Sequence, residues 1–301
     1  MPTMIETEVY KPLAYFSYFG YPLTAFEIWK WQFEPETNIS FNQIEDTLDN
    51  SKWLNERVSS INGMYSIGSK QDAETQTVER HVRYLDAIEK ERKLARVLTF
   101  LRRVPGVRGV ALCNSMPFHF TRSQSDIDLF VITDQGTVWS TRLLSVAPLM
   151  ALKQRPGETD HHPIDLSFFV SEDAMDLFSL QKTDDPYFAF WIATLTPVLG
   201  ERELWDRFFD ENSWAFAKLP NAKPPVRSFR YRRRNVKARL PGLSESFARR
   251  IQEGRLPQDL RDAANTDSRV VINNRMLKFH RTDRREEIAQ AFNAQMQVCK
   301  D

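Results

Sequence analysis

Residues 110–133 read VALCNSMPFHFTRSQSDIDLFVIT, and this stretch decides the fold. It begins as a short apolar run, breaks into a polar loop at Asn114 and Ser115, and returns to an apolar run that carries Asp126 and Asp128. Side chains alternate between the two faces of a strand, so both aspartates point the same way. Two such carboxylates on a buried strand are unfavourable unless a cation lies between them. Their oxygen atoms suit a hard divalent ion such as Mg²⁺.

A third carboxylate lies on a second apolar run, residues 163–170, in which Asp165 is the only charged residue. If the two runs are neighbouring strands, Asp165 joins Asp126 and Asp128. Three carboxylates can hold two metal ions, which clamp the attacking and leaving oxygens of a phosphoryl transfer. We therefore expect Asp126, Asp128 and Asp165 to be the catalytic residues and the ligands of two Mg²⁺ ions, for which Mn²⁺ is an alternative.

These residues resemble the nucleotidyltransferase superfamily that includes DNA polymerase beta and the small antibiotic-modifying nucleotidyltransferases. The shared pattern is an apolar strand, a serine (Ser115), a gap of roughly ten residues, an Asp-x-Asp strand and a later Asp on another strand. The likeness covers residues 107–170. It implies a Mg²⁺-dependent enzyme that moves a nucleoside monophosphate from a nucleoside triphosphate such as ATP to an acceptor hydroxyl and releases pyrophosphate. Asp165 would help to deprotonate that hydroxyl.

Phosphate binding is expected from three residues of the loop before Asp126: Asn114, Ser115 and Arg122. The resemblance implies that Ser115 grips the β and γ phosphates. Asn114 stands where the family usually has glycine; Asn tolerates a left-handed backbone, but it brings a side chain to the place where phosphate approaches. Arg142 and Lys153 are two further cations near the predicted site.

Other interpretations of the acidic motif stay open. Asp-x-Asp is common on surface strands, where water solvates it. Glycosyltransferases also hold metal with Asp-x-Asp, but they would need a larger nucleotide-binding α/β domain before it, and the preceding residues favour helices. A second hypothesis is a catalytically inactive nucleotidyltransferase-like protein that acts as a nucleic-acid-binding or regulatory module.

The pattern of the whole chain predicts an α+β fold, in which a small mixed sheet forms a nucleotidyltransferase core flanked by helices. Four regions are expected: a winged-helix-like domain at 1–70, a linking helix at 71–104, the core with a helical layer at 105–219, and a basic, mainly helical C-terminal region at 220–301. Within the core, strands are predicted at 107–113, 126–133 and 164–170, with a helix at 138–153.

The first region has the element order of a winged helix. Thr24 and Ser40 are expected N-caps, and Asn62-Gly63 is a strong hairpin signal. Acidic residues outnumber basic ones over residues 1–70, so this unit should be repelled by DNA and is expected to serve packing or protein contact. The linking helix is highly charged, and its charges are most simply a solvated face.

A basic segment at 223–250 contains lysines and arginines against Glu245 alone, with Phe229 and Tyr231 among them. Such a segment can bind a nucleic acid or another polyanion. It can equally pack on the acidic first region or steer triphosphate toward the site.

The composition is that of an ordinary globular protein, with 42% hydrophobic and 27% charged residues and a net charge of +1. Cys113 and Cys299 suggest neither a disulfide framework nor a zinc site. The sequence lacks the features of a signal peptide or membrane span, so a cytoplasmic location without a membrane partner is expected. The expected partners are a nucleoside triphosphate and an acceptor that the residues do not identify.

Overall fold

A computed structural model describes residues 1–226 and 240–300. Its α-helices are α1 (Met4–Ser17), α2 (Ala25–Lys30), α3 (Phe41–Asn50), α4 (Lys52–Asn55), α5 (Lys70–Leu101), α6 (Val138–Ala151), α7 (Pro186–Thr194), α8 (Arg202–Glu211), α9 (Ser213–Lys218), α10 (Glu245–Arg255), α11 (Gln258–Ala263) and α12 (Arg285–Gln297). Its strands are β1 (Leu23–Thr24), β2 (Val58–Ile61), β3 (Met64–Ile67), β4 (Val107–Leu112), β5 (Ile127–Thr133), β6 (Ile164–Ser171), β7 (Thr196–Leu199), β8 (Val270–Ile272) and β9 (Met276–Phe279).

The first region contains α1 to α4 and a three-stranded sheet in the order β1-β3-β2. Thr24 and Ser40 each cap a helix through a capping box, as predicted. Asn62 and Gly63 both have positive φ, 52° and 73°, between paired residues of β2 and β3. A two-residue hairpin turn of this kind requires positive φ at both positions, which explains the Asn-Gly sequence. The three-dimensional arrangement of a winged helix stays a prediction.

Helix α5 begins after its N-cap Ser69 and runs for 32 residues. Its buried face includes Arg83, Ala87, Lys90 and Leu94. Two of its charged residues are therefore buried, although the charges of this helix were expected to be solvated. Three apolar residues of its first half are more than half exposed: Val78, Val82 and Leu85. The predicted helix therefore forms, but its first half buries a different face from the one that carries these apolar residues.

The central sheet has six strands in the order β7-β4-β5-β6-β9-β8. Strands β5 and β6 are parallel, joined by α6, and the other neighbours are antiparallel. The predicted strands and helix of the core all form, with ends within two residues of those expected. A mixed sheet flanked by helices confirms the α+β class.

The strand-like run at 269–272, before the turn residues Asn273 and Asn274, predicts β8. Two other strands of this sheet were not predicted. Strand β7 lies in the region expected to be only a helical layer, and it pairs with β4. Strand β9 lies in the C-terminal region and pairs with β6. That region is therefore not only a helical appendage, because it supplies β8 and β9 to the sheet that carries the acidic residues.

Seven of the ten lysines and arginines of the predicted polyanion segment lie outside the described residues, because they fall within residues 227–239. Of the described part, Arg249 pairs with Glu253 at 2.7 Å and donates to Asn274 at 3.0 Å. Within residues 1–226 and 240–300, no helix is both long and apolar enough to cross a bilayer.

Candidate active site

The three predicted carboxylates meet at one end of the parallel strand pair. Asp126 directly precedes β5, Asp128 is the second residue of β5, and Asp165 is the second residue of β6. Asp128 and Asp165 are register partners, so their backbones are separated by one strand spacing of about 4.8 Å. All three aspartates line one cavity of about 670 Å³, the carboxylate cavity. This volume is typical of a small-molecule site.

The carboxylates repel one another. Burial raises the pKa of Asp128 well above its ordinary value, and the nearby charges of Asp165 and Asp126 raise it further. Burial is also the main cause that raises the pKa of Asp165 and of Asp126. Arg155 and Arg142 oppose the rise at Asp165 through charge attraction. The end of the strand pair thus concentrates negative charge that a bound cation would relieve.

The donor atoms suit Mg²⁺, because hard divalent cations prefer carboxylate oxygens. Among residues 1–226 and 240–300, however, no three acidic, histidine or cysteine side chains lie close enough together to hold a metal ion in the present positions. The chemistry of the donors therefore fits the predicted ions, whereas the present side-chain positions do not form a coordination shell.

Asn114 has a left-handed backbone, with φ of 58°, as its sequence position suggested. Its Oδ1 accepts hydrogen bonds from the Tyr187 hydroxyl and the Trp191 Nε1, both at 3.1 Å. Indole nitrogen can only donate, so this side of the amide must be the oxygen. The amide NH₂ is left for Asp128, whose pKa the hydrogen bond from Asn114 lowers. Asn114 was expected at the phosphate, and in this structure it holds a catalytic candidate in place.

The other two predicted phosphate contacts do not line the carboxylate cavity. Ser115 lies beside a neighbouring cavity, and its carbonyl accepts from the Phe120 backbone at 3.1 Å. Arg122 is exposed, and its carbonyl oxygen accepts from the ammonium of Lys90. The structure therefore does not bring Ser115 or Arg122 to the three aspartates.

Lys90 is a functional candidate that the sequence interpretation missed. It is fully buried, pairs with Asp86 at 3.0 Å and donates to Ser125 Oγ at 2.9 Å. These contacts tie the loop before Asp126 to α5, and the charge of Lys90 lowers the pKa of both Asp126 and Asp128. The missed signal was spacing, because Lys90 continues the buried face that Leu94 and Leu98 define.

A second missed group is the basic run at 278–285, which reads KFHRTDRR. Lys278, Arg281, Arg284 and Arg285 line the same cavity as the aspartates. Lys278 is only 5% exposed, and burial lowers its pKa to about 7. Arg285 is held by Asp283 at 2.8 Å and by other buried partners. The density of cations directly after a strand could have marked this run.

Arg142 and Lys153, the two further cations considered beforehand, do not line the carboxylate cavity. Arg142 is nevertheless close enough to lower the pKa of Asp165. Its guanidinium lies 4.3 Å from the ring centroid of Phe279 and donates to Gln252 at 2.6 Å. Burial lowers its pKa to about 10, so it stays charged at neutral pH. Its Nε is buried and has no hydrogen-bond partner among the residues that the structure describes.

No protein-family model matches the sequence, and no curated protein or solved structure shows significant similarity to the chain. The fold and the site define an α+β protein with an acidic and basic cavity at the end of a parallel strand pair. Any assignment of function therefore depends on the chemistry of that cavity.

Proposed function

We propose that the protein is a Mg²⁺-dependent nucleotidyltransferase, which transfers a nucleoside monophosphate from a nucleoside triphosphate to an acceptor hydroxyl and releases pyrophosphate. One observation carries the proposal: Asp128 and Asp165 are register partners on adjacent strands, and Asp126 lines the same cavity. The resemblance of residues 107–170 to the nucleotidyltransferase superfamily supports the same reaction.

Asp126, Asp128 and Asp165 would hold the divalent cations. When bound, these ions would neutralise phosphate charge and orient the attacking and leaving oxygens. Asn114 orients Asp128, since its amide is fixed on the other side by two donors, Tyr187 and Trp191. Catalysis of this kind depends mostly on positioning and on charge neutralisation.

Asp165 is the candidate for the group that accepts the proton of the acceptor hydroxyl. Burial raises its pKa, which brings the carboxylate closer to the basicity that general-base catalysis requires. Its backbone is adjacent to that of Asp128, so the base would lie beside the group that holds the triphosphate. The proposed role of Asp165 as general base thus depends on the register between β5 and β6.

Lys278 and Arg281 are the candidates for triphosphate binding. Both line the carboxylate cavity, where their positive charges can offset the repulsion between a polyanion and the aspartates. Arg281 pairs with Asp259 at 2.9 Å, but both side chains are more than half exposed, so the guanidinium can exchange this partner at little cost. The buried Lys278 ammonium donates to the Ser268 carbonyl and can donate two further hydrogen bonds.

Calorimetric titration with each of the four nucleoside triphosphates, with and without Mg²⁺, tests the proposal before the acceptor is known. We expect Mg²⁺-dependent binding that Asp128→Asn weakens at least about tenfold. Asp134→Asn is the matched control, because Asp134 follows β5 at its opposite end and is exposed. The absence of any Mg²⁺-dependent triphosphate affinity in the unaltered protein would refute the proposed function.

Transfer is then measured with radiolabelled triphosphate, Mg²⁺ and a panel of small hydroxyl compounds. Asp165→Asn should abolish transfer while it retains part of the triphosphate binding, because Asp126 and Asp128 remain. Equal transfer by the unaltered protein and Asp165→Asn would exclude Asp165 as the base.

A further inference from the structure

A second cavity of about 210 Å³, the aromatic cavity, lies between α1, α7 and the loop at 114–120. Its walls are mainly rings, contributed by Tyr15, Phe16, Phe19, Phe118, Phe190 and Trp191. The rings support one another: Tyr15 stacks on Phe190 with centroids 3.9 Å apart, and Phe16 meets Phe118 edge-on at 5.6 Å. An apolar cavity of about 150 Å³ is enough to bind benzene. The aromatic cavity therefore has room for one or two fused rings.

Most polar groups in its wall already have partners, and among the described residues the exceptions are the hydroxyls of Tyr15 and Ser115. The Asn114 oxygen accepts from Tyr187 and Trp191, and the Thr194 hydroxyl donates to the Phe190 carbonyl at 2.8 Å. A nucleobase placed here would lose hydrogen bonds to water along its polar edges and regain few of them. A ring without polar edges would lose none. The wall therefore favours an apolar aromatic group over a nucleobase.

The aromatic cavity adjoins the carboxylate cavity. The two share four wall residues: Phe19, Asn114, Tyr187 and Trp191. Asn114 contacts Asp128 on one side and the aromatic cavity on the other. A ring in the aromatic cavity would thus lie one side chain away from a catalytic candidate.

We propose that the aromatic cavity binds an apolar aromatic ring of the acceptor, whose hydroxyl extends toward the carboxylates. This inference rests on the proposed nucleotidyltransferase function and adds a substrate class to it: small aryl-bearing alcohols or phenols. The nucleoside triphosphate then occupies the carboxylate cavity alone, with its base outside the ring-lined space.

The experiment uses the full-length protein and two ring probes, indole and 2-phenylethanol, followed by calorimetry. Thr194→Phe should fill the cavity and weaken the binding of both probes at least about tenfold. Thr194→Val keeps the size of the side chain and should change their affinity less than about twofold. Phe118→Leu is a second variant, since Phe118 is partly exposed and its loss removes one wall ring without a large cost in folding. It should weaken the probes by about three- to tenfold.

Free adenine and uracil form the second arm. Failure of the bases to bind supports the acceptor assignment; binding of a base that Thr194→Phe abolishes would assign the cavity to the nucleotide and overturn the proposal. Indole and 2-phenylethanol that bind neither the unaltered protein nor Thr194→Val would also overturn it.

The third arm compares labelled transfer to 2-phenylethanol and to 1-propanol. Preferential transfer to the aryl alcohol, lost in Thr194→Phe with unchanged triphosphate affinity, supports the proposal. Mg²⁺-dependent triphosphate binding without ring binding would refute the inference alone. Ring binding without triphosphate affinity would refute the nucleotidyltransferase function and leave a ring site.

Discussion

Replacing Asp128 with Asn should stabilise the protein at neutral pH when divalent cations are absent. Asn keeps the shape of the side chain and can still accept a hydrogen bond from Asn114. Asp128 and Asp165 are register partners, and two unit charges about 5 Å apart repel by about 3 kcal/mol at an effective dielectric constant of 20. Both side chains are partly exposed, so solvent screening leaves about 1–2 kcal/mol. The melting temperature should rise by about 2–5 °C.

The stabilisation by Asp128→Asn should increase as the pH rises. Burial and the neighbouring acids raise the pKa of Asp128 in the folded state, so the folded protein holds this proton more tightly than the unfolded chain does. The native state is therefore favoured below the unfolded value of about 3.9, and this advantage is lost as pH rises through the folded pKa. Because Asn cannot ionise, Asp128→Asn does not lose stability in this way as the pH rises. Its stabilising effect relative to the unaltered protein should therefore be larger at pH 8 than at pH 5.

Mg²⁺ should make the unaltered protein more stable than Asp128→Asn. A cation that binds only the folded protein stabilises it by about 2.7 kcal/mol at 100 times its dissociation constant. The unaltered protein and the control Asp134→Asn should gain this stability, and Asp128→Asn should lose most of it. Thermal unfolding followed by circular dichroism, with Mg²⁺ or with a chelator, measures all three proteins under the same conditions.

Two results would refute the reasoning. One is a lower melting temperature of Asp128→Asn at pH 8 in chelator, because that would mean that the carboxylate stabilises the fold. The other is equal stabilisation of the unaltered protein and Asp128→Asn by Mg²⁺, which would place the cation elsewhere.

Three further changes test other parts of the site. Lys90→Met should lower the free energy of unfolding by about 3 kcal/mol or more in urea titrations, because Asp86 loses its buried partner at 3.0 Å. Asn114→Gly should cost about 1–3 kcal/mol for each of two stranded donors, one of them Trp191 Nε1, in the same assay. Lys278→Met should weaken triphosphate binding about five- to tenfold at pH 6.5, with a smaller effect at pH 8.5, since burial lowers the lysine pKa to about 7 and its charge is lost above that value.

Each of these expectations has a contrary outcome. Unchanged urea unfolding of Lys90→Met would show that the buried ion pair gives no net stability. Full stability of Asn114→Gly would mean that water satisfies both donors. Equal triphosphate affinity of Lys278→Met and the unaltered protein at pH 6.5 would remove Lys278 from the phosphate site, and Arg281→Met is the comparison on the exposed side of the same run.

The central strands could be predicted because their residues carry a local signal. Apolar runs with Asp128 and Asp165 near their starts predicted strands, and the helix between them favoured pairing within one sheet. The observed pairing is parallel and brings the two aspartates into register. The capping residue Thr24 and the Asn62-Gly63 turn were predictable for the same reason, since cap and turn geometry depend on neighbouring residues.

The other side of the cavity could not be predicted in this way. Strand β9 has four residues, and its pairing with β6 joins residues more than a hundred positions apart, which no local pattern encodes. The partners of Asn114 likewise come from α7, far along the chain. Lys90 was predictable in principle from its position on the buried face of α5. Its charge instead suggested an exposed residue.

The pairing of β9 with β6 has a consequence for how the protein reaches its native state. In a chain whose β9 has not yet paired with β6, the three aspartates would face open water and repel one another little, because bulk solvent screens their charges. Pairing of β9 would enclose the cavity and strengthen this repulsion. If divalent cations bind the aspartates, we therefore expect Mg²⁺ to accelerate refolding as well as to stabilise the folded protein.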